Sequence, residues 1–428
     1  MSILTKNAAI TVSIRVFGAI LIFILQIVLA RMLGAHEYGI YAFVISWISV
    51  IGLVCTLGFD TSLTRYIPEY IQKKQWKNLC GVINFSFRAC LIFSAVITIL
   101  VLFIIIINNK FDSYIAFLYA LPLITLITLT NIRISSLRSF KMYVAAIFPE
   151  TILKPVIILV LVSLYYFLNK NISSYNVIVF QLISAGITFT IGMYFFKRTI
   201  KKFPKCKQPE YQPRHWLISS LPMLLITSSA YIISQTDIIM LGILGNMEQS
   251  GIYSAVSRVS EIAIFFMAAI NFVASPLISE SYHNNDTEKL NAIIWKSTKI
   301  SFLLAATSFV IFVMFGNNLL GIFGGDFSVG YYALMILTVG HLANTATGPV
   351  GVILSLTGNQ FYAAKIMGIS ALVNIFLNYI LIPKYGLLGA ALSTVTSTIL
   401  WNILMLLKVK IELNINPSII SALSHEKS

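Results

Sequence analysis

The chain has 428 residues, is 58% hydrophobic and only 11% charged, and has a mean hydropathy of +0.87. A soluble domain of this length needs far more charged surface, which excludes a water-soluble enzyme or binding module. A net charge of +15 is compatible with nucleic-acid binding only if the cations form a patch, and here they fall between apolar segments.

Apolar runs of about 20 residues recur, the length that crosses a ~30 Å hydrocarbon core. Twelve helical spans are read at roughly 8–30, 39–62, 80–107, 113–133, 145–168, 174–196, 216–244, 250–276, 299–322, 329–357, 362–382 and 386–408. A closed β-barrel would show short alternating segments instead. The first run is long enough to span and lacks a clear cleavage site, so it reads as a retained anchor. The outer loop 31–38 is eight residues long, so no extracellular domain is expected.

Residues 197–214 read KRTIKKFPKCKQPEYQPR and divide the chain near its midpoint. They carry Lys197, Arg198, Lys201, Lys202, Lys205, Lys207 and Arg214 against one acid, Glu210. Pro204, Pro209 and Pro213 discourage a continuous helix there. The expected organisation is a six-helix lobe over 1–196, a basic linker over 197–215, a second six-helix lobe over 216–410 and a short amphipathic or disordered tail over 411–428. With the amino terminus inside, inner segments hold 22 Lys/Arg and outer segments four: Arg31, Lys110, Lys170 and Lys384. This bias places both termini and the basic segment in the cytoplasm. Cys55, Cys80, Cys90 and Cys206 have neither metal nor redox spacing.

The halves resemble each other. Gly39-Ile40-Tyr41-Ala42 is answered by Gly251-Ile252-Tyr253-Ser254, 212 residues later. Ser136-Leu137 with Tyr143 is answered by Ser355-Leu356 with Tyr362, 219 residues later. Six spans per half keep the same orientation, giving a parallel repeat about an axis along the membrane normal. The expected fold class is therefore an all-α polytopic membrane protein with about twelve transmembrane helices in two six-helix lobes.

No P-loop, dinucleotide fingerprint or HExxH motif is present. Transport, if that is the task, runs downhill or on a proton or sodium gradient, with no bound cofactor expected. Ionisable residues inside spans are the informative ones, because they are costly there. Arg15 lies one to two turns into span one, within reach of the headgroups. Lys154 lies nine residues into span five, about 14 Å deep at 1.5 Å per residue, and Pro155 beside it can kink the helix and free a carbonyl. Asp237 and Arg258 flank the short turn near Met247 at similar depth and are expected to meet across the hairpin. Glu261 shares the face of Arg258 at i+3. His341, Asn344, Thr345 and Gly348 form a polar stripe that suits either packing or a cavity wall. Asp60, near the inner end of span two, is expected to cap the helix or pair with Arg65. By the 212-residue offset Arg258 corresponds to Ser46, so the halves are alike in shape but not in charge.

The run from Asn374 through Asn378, Ile382, Pro383, Tyr385, Gly386, Gly389, Ala390 and Ala391 resembles the NxxLNxxLIPxYGxxGAAxAT signature of polysaccharide-exporting flippases. These are the Wzx-type members of the multidrug/oligosaccharidyl-lipid/polysaccharide superfamily. Leu33-Gly34-Ala35 with Glu37-Tyr38-Gly39, and Gly58-Phe59-Asp60 running into Arg65-Tyr66, are similar as well. These motifs look chiefly structural, with Pro383 ending span eleven. The resemblance implies movement of a polyprenyl-diphosphate-linked oligosaccharide across the cytoplasmic membrane by alternating access, for surface polysaccharide synthesis. It implies a central cavity between the lobes with cationic residues, at positions that Arg15 and Arg258 resemble. Its partners would be membrane lipids and the glycan polymerase or glycosyltransferases of the same pathway. Two alternatives stand beside it. A multidrug exporter of the same fold would prefer acidic residues for cationic drugs. A membrane-embedded polymerase or glycosyltransferase would show a larger outer loop bearing acids, Arg or His.

Overall fold

The computed structural model describes residues 3–108, 114–204, 208–284 and 286–424. Lys110, Lys205, Cys206, Lys207, Asn285, Lys427 and the side chain of Lys6 lie outside the described residues. Among those described, helix dominates and no strand forms. Nine helices there are long and apolar enough to cross a membrane.

The first is α1 (Ile3–Val54), which at 52 residues would be about 78 Å long if straight, far beyond one bilayer crossing. It breaks at Gly34, where φ is 73° and ψ is 171°. The expected eight-residue outer loop is thus helical on both sides of one glycine. A second break at Leu57 and Gly58, both with positive φ, leads into α2 (Phe59–Gln72). Then follow α3 (Trp76–Asn108), α4 (Tyr114–Ser139), α5 (Tyr143–Phe148), a π-helical turn (Pro149–Leu153), α6 (Lys154–Asn169) and α7 (Ser174–Ile200). After the basic segment come α8 (Pro213–Leu244), α9 (Met247–His283), α10 (Thr287–Gly321), a 3₁₀ turn (Gly325–Gly330), α11 (Tyr331–Ala346), α12 (Val350–Leu356), α13 (Gln360–Tyr385), α14 (Leu387–Leu413) and α15 (Ile419–Ser424). Counting α1 as two passes, α5–α6 as one and α11–α12 as one, the order gives six passes before the basic segment and six after.

Two compact units form, Met1–Ser228 and Ser229–Ser428. The chain passes from one to the other inside α8, not in the basic segment. The reason lies in the packing of the first turns of α8. Trp216 is fully buried, donates from Nε1 to the Tyr70 hydroxyl at 2.9 Å, and joins the core of Phe59, Leu63, Ile67 and Val82. Glu210 N donates to Lys77 O at 3.2 Å, tying the end of the basic segment to α3. The second unit has its own core, in which Ile278, Ile294, Ile353, Leu354 and Val409 meet. The tail packs against this core. Trp295 Nε1 donates to Asn416 O at 3.0 Å and Thr298 Oγ1 to Pro417 O at 3.0 Å, so 414–424 is docked and ends in helix α15.

The outward surface is apolar. Ile92, Ile99, Phe103 and Ile107 on α3, and Leu303, Val310 and Met314 on α10, are all exposed. A water-facing helix would carry charges there; a lipid-facing one needs none. Inside, buried Ser and Thr return their hydroxyls to carbonyls of the preceding turn, as Ser136 does to Ile132 and Ser393 to Gly389. This satisfies a polar group without any partner helix. The molecule is a multi-pass membrane protein.

Candidate functional site

Pro155 carries no N–H and crowds the preceding turn, which would strain an α-helix at this point. The chain answers by widening: Pro149–Leu153 is π-helical, with Lys154 N bonded to Pro149 O. The expected kink at Pro155 is therefore a π turn, a feature that often marks functional sites. The widened turn presents Glu150 and Lys154 on one side. Lys154 Nζ lies 3.9 Å from Glu150 Oε2, and Arg133 Nη2 donates to Glu150 Oε1 at 3.1 Å.

Arg133 is a correction. The spans read from the sequence end one helix at residue 133 and count Arg133 among the 22 inner cations, but α4 runs on to Ser139 and carries Arg133 into the core, where it is fully buried. Its Nη1 donates to Thr188 O at 3.0 Å on α7. Gly192 makes this possible, since a methyl group there would overlap the guanidinium. Arg133 and Lys154 are two cations held by one carboxylate, leaving the cluster formally +1. Arg133 is sealed in, whereas Lys154 keeps about a fifth of its side chain exposed. An ammonium at 3.9 Å from its counter-ion is loosely held compared with a charge-assisted contact of 2.7–2.9 Å. This arrangement holds a positive charge inside the membrane-spanning region and presents it on a group that can exchange partners.

The second unit contains the opposite solution. Asp237 on α8 is buried and accepts from Tyr253 OH at 2.5 Å, Asn378 Nδ2 at 2.7 Å, Asn374 Nδ2 at 3.5 Å and the Thr394 hydroxyl. The expected meeting of Asp237 with Arg258 is not what forms. Both depth and face differ: Tyr253, five residues nearer the turn than Arg258, meets Asp237, while Arg258 Nη1 donates to Glu261 Oε2 at 3.1 Å, one turn along its own helix. A buried carboxylate with neutral donors on both oxygens is compensated without a cation. The signature asparagines Asn374 and Asn378 thus hold Asp237, tying α13 to α8. The signature also shapes the α13–α14 turn. Pro383 lies inside the last turn of α13, which ends only at Gly386 with φ of 53°.

The remaining candidates are dispersed. Arg15 is exposed on α1. Asn344 and Thr345 are buried within α11, and Thr345 Oγ1 donates back to His341 O at 3.1 Å. His341 Nε2 is buried without a hydrogen-bond partner. The stripe is therefore packed inside its unit. Asp60 accepts from Thr56 Oγ1 at 3.0 Å in the break before α2, a local side-chain contact, and α2 has no side-chain cap. Among the described residues no group of three or more His, Cys, Asp or Glu is placed to hold a metal ion.

This two-unit bundle is the fold of the multidrug-resistance MATE transporters. A solved structure titled as the inward-facing conformation of a MATE family transporter of the MOP superfamily superposes with a TM-score of 0.76, covering 98% of this chain and 100% of that one at 16% identity. The polysaccharide biosynthesis protein family model matches residues 4–282, and a MatE model matches 222–380. The chain belongs to the polysaccharide biosynthesis protein family. It is 23% identical over 387 residues to the probable low-salt glycan biosynthesis flippase Agl15 of Haloferax volcanii, covering 89% of this chain and 78% of that protein. It is 29% identical over 174 residues to the probable flippase AglR of the same organism, covering 40% of this chain and 37% of that one.

Proposed function

We propose that the protein is a flippase that moves a polyprenyl-diphosphate-linked oligosaccharide from the inner to the outer leaflet of the cytoplasmic membrane by alternating access. The family match and the flippase relatives support the class. The observation that carries the substrate chemistry is the Arg133–Glu150–Lys154 cluster, a net positive site on a π turn inside the membrane-spanning region. A diphosphate crossing about 30 Å of hydrocarbon needs cationic partners on the way. In this reading Lys154 is the partner and Arg133 is the fixed charge that holds Glu150 back from it. Both termini lie in the cytoplasm, in keeping with the Lys/Arg asymmetry, and a proton or sodium gradient drives the return step.

The MATE fold equally suits an exporter of cationic drugs, and one experiment separates the two. The purified protein is reconstituted into vesicles with polyprenyl-diphosphate-linked oligosaccharide in one arm and ethidium in the other. The flippase reading expects the glycolipid headgroup to become accessible to a lectin outside, and ethidium to stay where it is. Ethidium transport without glycolipid movement would replace it with the drug-exporter reading.

A further inference from the structure

One end of the Ser229–Ser428 unit carries the α8–α9 turn, the stretch from the end of α10 to the start of α11, and the α13–α14 turn. Together they line a cavity of about 570 Å³, inside the 300–1,000 Å³ range of small-molecule sites. Its polar and aromatic lining is Gln249, Asn317, Ser328, Tyr331, Tyr332 and Tyr385, and the rest is aliphatic. Among the described residues no Lys, Arg, His, Asp or Glu lines it.

The aromatic wall is built, not scattered. Tyr331 is fixed by its hydroxyl, which donates to Val313 O at 3.0 Å, and by its ring packed on Gly316. Tyr332 meets it edge-on with ring centroids 5.5 Å apart. The rings of Tyr332 and Tyr385 are left open, with the residues 69% and 58% exposed. Gln249 reaches across to the α13–α14 turn because Gly386 offers no side chain: a Cβ there would sit 2.9 Å from Gln249 Oε1. That oxygen is itself buried between the two turns and has no hydrogen-bond partner.

Open phenol rings, amides and a hydroxyl around an uncharged space match the chemistry of a pyranose, whose axial C–H face stacks on a ring while its hydroxyls pair with amides. A phosphate or a metal ion would need charged ligands that this lining lacks. Tyrosines also gather at membrane interfaces as a belt, but a belt needs neither a cavity nor amide side chains in its wall. We propose that this cavity binds a neutral sugar unit of the transported glycan on the extracytoplasmic side, the side that the Lys/Arg asymmetry assigns to these turns. Its role in transport rests on the flippase reading; its chemistry does not.

The test is saturation-transfer NMR on the full-length protein in nanodiscs, with methyl β-glucoside, methyl N-acetyl-β-glucosaminide and methyl α-mannoside as probes. At least one probe is expected to receive saturation from the wild type. The signal should fall about tenfold in Tyr332→Ala/Tyr385→Ala, the loss of two aromatic contacts, and persist in Tyr332→Phe/Tyr385→Phe. Both positions are exposed, so the fold is not at stake, and monodispersity confirms it. No transfer to any probe, or equal transfer to wild type and the alanine pair, overturns the proposal. So does a loss of co-purified phospholipid in the alanine pair without sugar transfer, which marks a lipid groove instead. Sugar binding without glycolipid movement in vesicles would keep the cavity and remove the flippase reading. Glycolipid movement without sugar transfer would do the reverse.

Discussion

Tyr41 and Tyr253 hold the same place in the internal repeat and meet different chemistry. Tyr41 OH donates to the neutral amide of Gln181 at 2.8 Å, whereas Tyr253 OH donates to the carboxylate of Asp237 at 2.5 Å. The scaffold is repeated but the charge is not. By the 219-residue offset the positions of Arg133, Glu150 and Lys154 fall on Val352, Ile369 and Val373. The first unit therefore gathers two cations, Arg133 buried and Lys154 half-buried, around one acid, and the second buries one acid among neutral donors. A cluster with a cation to spare suits an anionic cargo. A carboxylate with its donors already in place suits a structural tie. The difference teaches that the function of such a repeat is read from what one half has and the other lacks.

That contrast breaks most sharply at Asp237. Asp237→Ala removes the acceptor of the Tyr253 and Thr394 hydroxyls, each orphaned donor costing about 1–3 kcal/mol, empties a buried site, and leaves Asn374 and Asn378 only their longer bonds to Thr394, Ser397 and each other. Thermal unfolding in detergent is expected to show the largest drop of any single substitution considered, and little folded protein at growth temperature. An Asp237→Ala protein with wild-type stability but no transport would turn the tie into a working site.

Glu150→Ala comes next. It strands Arg133 in the core, and an uncompensated buried charge costs about 3–5 kcal/mol. Adding Arg133→Met should return most of the stability, because no charge is then orphaned. Transport is the sharper readout. If Arg133 only restrains Glu150, the double variant keeps Lys154 and keeps measurable export. Loss of export in a stable double variant would make Arg133 itself a substrate contact.

The smallest effect belongs to Arg258 and Glu261. Their residues are 35% and 52% exposed at the side chain, and an i,i+3 pair of this kind contributes about 0.2–0.5 kcal/mol. Arg258→Gln/Glu261→Gln should unfold within about a degree or two of wild type. A large loss of export without loss of stability would move Arg258 from a local pair to the transport path, where the family resemblance puts it.

The helical passes were legible in the sequence, because apolar length follows from what a bilayer demands of a helix. Lys154 was legible for the same reason, since its depth alone made it costly. Arg133 was not: the apolar run thins just where it sits, and only the full length of α4 shows that the helix continues past it. Its partner Glu150 lies 17 residues on and beyond a turn, so no helical spacing links them. Asp237 failed differently. Counting residues from the turn put Arg258 opposite it, but the hairpin pairs it with Tyr253, five residues nearer the turn, and its amide partners lie 137 and 141 residues away. The asparagines were recognised as a signature, yet nothing local shows which group they serve.

The central claim is that Lys154 presents the positive charge to the diphosphate. It is tested most directly by surface glycan export in cells lacking the native copy, measured alongside membrane abundance for Lys154→Ala, Lys154→Arg and Arg15→Ala. The account predicts Lys154→Ala to reach the membrane and export less than about a tenth of the wild-type glycan, since one charge-assisted contact is worth about 1.5–3 kcal/mol. Lys154→Arg should keep part of the activity. Wild-type export by both Lys154→Ala and Arg15→Ala would contradict it.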